Sequence, residues 1–243
     1  MMRTANPALK ADIFTVSAYE DARMTINGTV NKTGILLILA VAGSTWTWHL
    51  FTISANYAPW MILGAIGGFI TALITIFKKE WAVITAPIYA LLEGLFLGGI
   101  SAVFNARFPG IVIQAVGLTF GTLGCLLIAY RSGVIKVTEN FKMGVVAATG
   151  GIFLVYFISI ILGFFNIPIP LIHSNGIMGI GFSLFVVVIA SLNLVLDFDF
   201  IENGVQMGAP KYLEWYAAFG LMITLIWLYI EILRLLAKLN SRR

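Results

Sequence analysis

The amino-acid sequence predicts an all-α integral membrane protein, a bundle of seven transmembrane helices. Apolar residues make up 60% of the chain and charged residues 11%, and the mean hydropathy is +0.96, which is typical of polytopic membrane proteins. Seven apolar runs have the length, about 20 residues, that a helix needs to cross a hydrocarbon core of roughly 30 Å. Because backbone exposed to lipid must be hydrogen-bonded within its own segment, helices are the regular structure that suits such runs.

The chain divides into a polar N-terminal segment, residues 1–34, and a membrane domain, residues 35–243. The N-terminal segment carries both charge signs, and its pattern is not that of a secretory signal. The predicted spans are, in chain order, Ile35–Ser54, Pro59–Phe77, Ala82–Phe104, Gly110–Tyr130, Gly144–Phe165, Ile177–Leu196 and Leu213–Leu236.

Polar and amphipathic residues justify most of these boundaries. Trp46 and Trp48 lie toward the end of the first span, where indole side chains favour the membrane interface. The second span stops at the charged run 78–80, and the fourth stops at Arg131. A polar loop separates the fifth span from the sixth, and the sixth ends where Asp197 begins an acidic stretch.

Glycines recur four residues apart inside three of the spans. The pairs are Gly64 and Gly68, Gly94 and Gly98, and Gly117 and Gly121. This spacing allows helix backbones to approach closely, and packing drives helix association in lipid. We interpret the pairs as contacts within a tight monomeric bundle.

Basic residues predict a cytoplasmic N-terminus. With that orientation the inside segments carry Arg3, Lys10, Arg23, Lys32, Lys78, Lys79, Arg131, Lys136, Lys142 and Lys211. The outside loops carry only Arg107, which is the asymmetry of the positive-inside rule. Seven spans place the basic C-terminus outside, against this rule, unless the last segment is re-entrant. We favour seven full spans because Leu213–Leu236 is long enough to cross.

Acidic residues inside or beside the spans are the candidate functional residues. Asp197 closes the sixth apolar run, with Asp199 and Glu202 shortly after it, while Glu231 lies within the seventh run and Glu93 within the third. An ionised carboxylate at membrane depth costs about 3 kcal/mol or more, so such groups usually face a protein interior or a wet cavity. Asp197 and Glu231 are therefore the primary candidates.

Polar stripes on the last two spans support this choice. Asn193 precedes Asp197 by one helical turn, so the two share a face of the sixth helix. Thr224, Trp227 and Glu231 recur at similar spacing on the seventh. Two such stripes side by side would enclose a narrow polar region.

A buried pair formed by Asp197 and Glu231 is expected to share one proton and to titrate as a unit. Loss of that proton would replace a hydrogen bond with repulsion and open the helix pair. Carboxylate oxygens are also ligands that Ca²⁺ prefers, so Ca²⁺ is expected to bind transiently there. The alternative stays open that Glu231 forms an intrahelical salt bridge with Arg234, and that Asp197 is solvated at the interface.

Recognisable enzyme and nucleic-acid motifs are lacking in the sequence. It contains no GxSxG, P-loop or CxxC motif, a single cysteine, Cys125, and two separated histidines, His49 and His173. We therefore expect no catalytic activity, no cofactor, no dedicated metal site and no nucleic-acid partner. The lipid bilayer and cations are the expected partners.

Three stretches resemble a known family. They are EGLFLGG at residues 93–99, LNLVLDFDFIE at residues 192–202 and ITLIWLYIEILRLL at residues 223–236. Together with the seven-span order they resemble the Bax inhibitor family, also called transmembrane Bax inhibitor motif proteins, and are most similar to its bacterial branch. The resemblance covers nearly all of the chain after Gly34.

The resemblance implies a compact bundle with the seventh helix near the centre and a pH-sensitive calcium leak. The family's paired acidic sensor matches Asp197 on the sixth helix and, with glutamate in place of aspartate, Glu231 on the seventh. A basic residue that pairs with this sensor in some members corresponds to Lys78 or Lys79. Some bacterial relatives resemble modulators of a membrane-bound protease.

The resulting hypothesis is an inner-membrane, multi-pass cation leak, with Ca²⁺ as the expected cation, gated by protons at Asp197 and Glu231. Asp199, Glu93, Asn193, Lys78 and Lys79 are secondary site candidates. One alternative is a non-conducting interaction protein that modulates a membrane protease through residues 1–34. The other is a proton-coupled cation antiporter that uses the same carboxylates.

Overall fold

The structure, a computed structural model, describes residues 23–165, residue 174 and residues 176–242. The seven helices are α1 (Ile26–Thr52), α2 (Ala58–Phe77), α3 (Ala82–Arg107), α4 (Ile111–Arg131), α5 (Glu139–Phe164), α6 (Ile177–Gln206) and α7 (Leu213–Asn240). Each is long and apolar enough to cross a membrane, and the described ranges hold no strand, only an isolated bridge between Arg23 and Pro210. The predicted seven-helix membrane fold is confirmed. The first 22 residues of the polar N-terminal segment and His173 lie outside the described residues.

The first helix begins earlier than the apolar run at Ile35 predicts. Thr25 caps α1, because its hydroxyl oxygen accepts a hydrogen bond from the Gly28 amide at 2.9 Å. Thr29 and Thr33 are buried on the inner face of α1, and each hydroxyl donates to the backbone carbonyl one turn before it. Part of the stretch that hydropathy separates from the membrane domain is therefore a packed turn of the first helix.

The sixth helix ends later than its apolar run predicts. It continues to Gln206, so Asp199 and Glu202 are helical residues and the link to α7 is short. Asp199 forms an ion pair with Lys142 of α5 at 3.1 Å, and Glu202 accepts a hydrogen bond from the Tyr130 hydroxyl of α4 at 2.5 Å. These partners allow the polar end of the helix to stay packed against its neighbours.

Contacts between loops and helix ends define the two faces of the bundle. The Met24 amide, just before α1, donates to the carbonyl of Ala209 in the α6–α7 link at 2.7 Å. Lys79 follows the end of α2, and its ammonium group lies 5.4 Å from the centre of the Tyr216 ring, near the start of α7. We call the side where α1 begins the near face and the opposite side the far face.

The last helix is the most buried of the seven. Of its most apolar stretch 56% is buried, compared with 11% to 44% for the other spans. One face packs with α6 and α4 in the larger core cluster, and another packs through Phe219 and Met222 against α1 and α3. The expected central position of the seventh helix is confirmed.

Close packing of α1 against α3 depends on glycine. A side-chain carbon on Gly94 would lie 2.3 Å from the Ala40 carbonyl oxygen, and one on Gly98 would lie 2.2 Å from that of Ser44. Gly117 and Gly121 on α4 have the same sequence spacing, yet no atom lies within 4 Å of the corresponding position. The glycine spacing thus marks a helix contact on α3 and open space on α4.

Candidate functional site

Asp197 lies inside the near half of the bundle. It is well within α6 and borders a cavity of about 240 Å³ between α6, the end of α2 and the first turns of α7. Its Oδ2 atom is buried and has no hydrogen-bond partner among the described residues. A buried carboxylate oxygen without a donor is costly, so the group is stabilised by any proton or cation that reaches it.

The residues around this cavity are mostly apolar and aromatic. Tyr216, Phe219 and Gly220 of α7 form one wall, and the Thr224 hydroxyl lies beside Asp197. Lys79 reaches the same region, because its ammonium group lies over the Tyr216 ring. The residue of α7 beside Asp197 is therefore a threonine, and the ammonium group of Lys79 is held on the Tyr216 ring in one wall of the cavity.

Glu231 lies on α7 in the far half of the bundle and is only 2% exposed. Its Oε1 atom accepts hydrogen bonds from the Tyr156 hydroxyl of α5 at 3.0 Å and from Arg234 at 2.9 Å. Arg234 also donates to the Tyr156 hydroxyl, at 2.7 Å. The intrahelical salt bridge between Glu231 and Arg234, left open as an alternative, is present.

Asp197 and Glu231 do not share hydrogen-bond partners. Thr224, which lies beside Asp197, precedes Glu231 by two helical turns, a rise of about 10 Å along α7. Within the described residues no hydrogen bond joins the two carboxylates. Asp197 of α6 therefore lies at the level of Thr224, about two turns along α7 from Glu231, and each carboxylate has its own surroundings.

The chain matches one family model, described as Bax inhibitor 1 like, over residues 6–241. This match spans almost the whole chain. The chain belongs to the Bax inhibitor 1 like family. No curated protein matches the chain. The family predicted from the three sequence stretches is confirmed, and this Bax inhibitor 1 like protein is a membrane protein of the seven-helix type.

The secondary candidates have separate surroundings in this Bax inhibitor 1 like protein. Asp199 is held by Lys142 and by the Asn203 amide, and Asn193 donates to the Thr149 hydroxyl at 2.8 Å. Glu93 lies against Gly68 at the contact between α3 and α2. Lys78 is exposed at the end of α2. Among the described residues no three His, Cys, Asp or Glu side chains cluster to hold a metal ion.

Sequence reasoning missed a buried ion pair near the beginning of both α1 and α7. Glu214 is 1% exposed and binds the ammonium group of Lys32, and its Oε1 accepts from the Thr25 amide at 2.9 Å and the Thr25 hydroxyl at 3.0 Å. Lys32 also lies 5.6 Å from the centre of the Trp215 ring. The only sequence signal is a lysine and a glutamate near apolar runs, and nothing local pairs residues so far apart in the chain.

Proposed function

We propose that this protein is a proton-sensitive cation leak, with Ca²⁺ as the cation and Asp197 as the primary proton-binding group. The observation that carries the proposal is that Asp197 borders a cavity while its Oδ2 atom is buried and lacks a donor among the described residues. An ionised carboxylate in that position is poorly solvated, so it takes up a proton or attracts a cation. Either event changes the charge at the contact between α6 and α7.

Protonation would favour the closed arrangement. A neutral Asp197 can remain against Thr224 and the aromatic wall without a counter-ion. Loss of the proton leaves a negative charge in an apolar cavity, which favours entry of water and a cation and loosens the contact between α6 and α7. Flux is therefore expected to rise as the pH rises.

Glu231 would act at a second level of the same helix. Its charge is balanced by Arg234, and its Oε1 atom accepts a hydrogen bond from Tyr156. Its Oε2 atom, like Oδ2 of Asp197, is buried and has no hydrogen-bond partner among the described residues. The ion pair with Arg234 is what distinguishes it from Asp197. A cation moving along α7 would compete with Arg234 for this carboxylate. We therefore assign Glu231 to the ion path and Asp197 to proton sensing, with Lys79 as a cation beside the Tyr216 wall of the Asp197 cavity.

The location that fits this function is the inner (plasma) membrane, with the near face toward the cytoplasm. Basic residues on that face are Arg23, Lys32, Lys78, Lys79, Arg131, Lys136, Lys142 and Lys211. Far-face loops contribute Arg107, and the end of α7 contributes Arg234, Lys238 and Arg242. The excess on the near face agrees with the positive-inside rule. We further propose that the protein is monomeric and carries out no catalysis.

Reconstitution tests the proposal. Purified protein is placed in liposomes that contain a Ca²⁺-sensitive dye, and influx is measured over a range of pH around neutrality. We expect wild-type flux to rise with pH, and Asp197→Asn to show low flux at every pH because its side chain stays neutral. Glu139→Gln is the matched control, because Glu139 is 84% exposed on the near face and is expected to leave the pH profile unchanged.

Three outcomes would contradict the proposal. One variant combines Asp197→Asn with Glu231→Gln. If its flux equals that of the wild type at every pH, the gating mechanism is wrong. Flux that requires an imposed proton gradient would identify an antiporter. A protein that is folded in liposomes and passes no cation would fit the non-conducting interaction protein instead.

A further inference from the structure

A second cavity, larger than the one at Asp197, lies in the far half of the bundle. Its volume is about 670 Å³, within the range of small-molecule binding sites. It extends along α1 from Leu37 to Thr52, and residues 97–101 of α3, 112–120 of α4 and 222–229 of α7 complete its wall. None of the acidic candidates borders it.

The cavity opens sideways, between α1 and α4. Val41 on α1 is 61% exposed, while Val116 and Phe120 on α4 are 40% and 47% exposed, and all three line the cavity. Both helices are apolar spans, so this exposed rim faces the hydrocarbon of the bilayer. A space that opens there is continuous with the lipid-facing surface of the protein.

Every hydroxyl group in the wall takes part in a hydrogen bond inside the protein. The Ser101 and Tyr229 hydroxyls bond to each other at 2.6 Å, and the Ser44 and Thr119 hydroxyls donate to carbonyls of their own helices, each at 2.8 Å. Apart from Thr45, Trp48, His49 and Thr52 toward the far-face end, the rest of the wall is apolar. Such a wall offers little to a hydrated ion, and apolar cavities of this kind take apolar occupants.

The length and polarity of the cavity match one lipid chain. The stretch of α1 from Leu37 to Thr52 rises about 22 Å. This length covers one leaflet of the hydrocarbon core, which is about 15 Å thick, and extends into the interface. The far-face end is bordered by Trp48, His49 and Thr52, residue types that suit the membrane interface. The opposite end, around Leu37 and Met222, is apolar.

We propose that this cavity binds one acyl chain of a phospholipid from the far-face leaflet, with the headgroup beside His49 and Thr52. The chain enters between α1 and α4 and packs against α7 at Leu225. This site is separate from Asp197 and does not depend on the proposed ion leak. Filling the space restores dispersion contacts that an empty cavity would lack on α7, the central helix.

Photolabelling tests the site. The protein is reconstituted with a phosphatidylethanolamine that carries a diazirine near the end of one acyl chain, illuminated, digested and mapped by mass spectrometry. We expect label on the α7 residues that line the cavity, such as Leu225, which is 4% exposed and inaccessible from the outer surface. Label confined to lipid-facing residues such as Ile38 and Ile113 would overturn the proposal.

A pair of matched variants sharpens the test. Val41→Trp combined with Val116→Trp narrows the entrance, and we expect it to abolish the label on α7 while the outer label remains. Ile38→Trp combined with Ile113→Trp adds the same bulk at positions that are 70% and 80% exposed and do not line the cavity, and should leave the α7 label intact. Retained α7 label in the entrance variant, or equal loss in both variants, contradicts entry between α1 and α4. If the entrance variant does not fold, the wild-type labelling pattern alone decides.

Discussion

Glu214 and Asp197 are both acidic side chains enclosed by helices in the near half of the bundle, yet their surroundings are opposite. Glu214 has an ammonium group, a backbone amide and a hydroxyl as donors, whereas the Oδ2 atom of Asp197 has none among the described residues. A satisfied buried charge holds α1 against α7. An unsatisfied one leaves a site whose charge state depends on protons or cations. Burial alone therefore does not distinguish these two acids, whereas the inventory of donors does.

Removing the cation from the satisfied site should have the largest effect on stability. Lys32→Met leaves Glu214 buried with an uncompensated charge, so we expect the free energy of unfolding to fall by about 3 kcal/mol. Thermal unfolding of the purified protein in detergent measures the change. Adding Glu214→Gln to Lys32→Met removes both charges and should recover part of the loss. If Lys32→Met is as stable as the wild type, the ion pair contributes nothing to stability.

Neutralising each of the two acids should separate the sites directly. Glu214→Gln loses a charge-assisted bond to Lys32, so we expect a loss of about 2 kcal/mol. Asp197→Asn breaks no hydrogen bond at Oδ2 and keeps the size of the side chain, so we expect any loss of stability to be much smaller than that of Glu214→Gln. Chemical denaturation in mixed micelles gives both values. Equal losses for the two variants would contradict the comparison.

The space around Glu214 is limited by Gly28. A side-chain carbon on Gly28 would lie 2.2 Å from the Glu214 Oε1 atom, and the carboxylate is held in place by its donors. We expect Gly28→Ala to lower the free energy of unfolding by about 1.5 kcal/mol. Gly34→Ala is the control, since no atom lies within 4 Å of its new side chain and alanine favours a helix. A lower melting temperature for Gly34→Ala than for Gly28→Ala would argue against a tight Glu214 site.

The last prediction concerns the cap of α1, where the measured quantity is a difference between two variants. Thr25→Ala removes the hydrogen bond to the Gly28 amide, which costs about 1 kcal/mol, and also the hydroxyl donor to Glu214. Thr138→Ala on α5 removes a comparable cap at an exposed position, with no carboxylate attached. Parallel thermal scans give the loss of stability for each variant. The amount by which the loss in Thr25→Ala exceeds that in Thr138→Ala measures the contribution of the hydrogen bond to Glu214. No excess would show that the cap acts alone.

Hydropathy predicted the seven spans because each must present apolar side chains to lipid, a requirement that acts within a single segment. It misplaced the start of α1 and the end of α6. Both ends are polar in sequence and helical in the structure, because Thr29 bonds its own backbone while Asp199 and Glu202 find partners on α5 and α4. Hydropathy does not register such partners.

The candidate site was predictable in part. Asp197 and Glu231 stand out because each is an acid in or beside an apolar run, and the bond from Arg234 to Glu231 follows from helical spacing. Packing of α6 against α7 decides which residue of α7 lies beside Asp197. That residue is Thr224, two turns before Glu231. That Asp197 and Glu231 share one proton stays a prediction.

The sequence by itself determined the membrane class, the number of spans and the family, because composition, run length and local motifs act over neighbouring residues. Only the tertiary structure decided which buried charges are satisfied. Lys32 and Glu214 are 182 residues apart, and their contact exists because α1 and α7 begin at the same face of the bundle. Hydrogen bonds and ion pairs depend on distances of a few ångströms between helices, and these distances are set by packing rather than by local sequence.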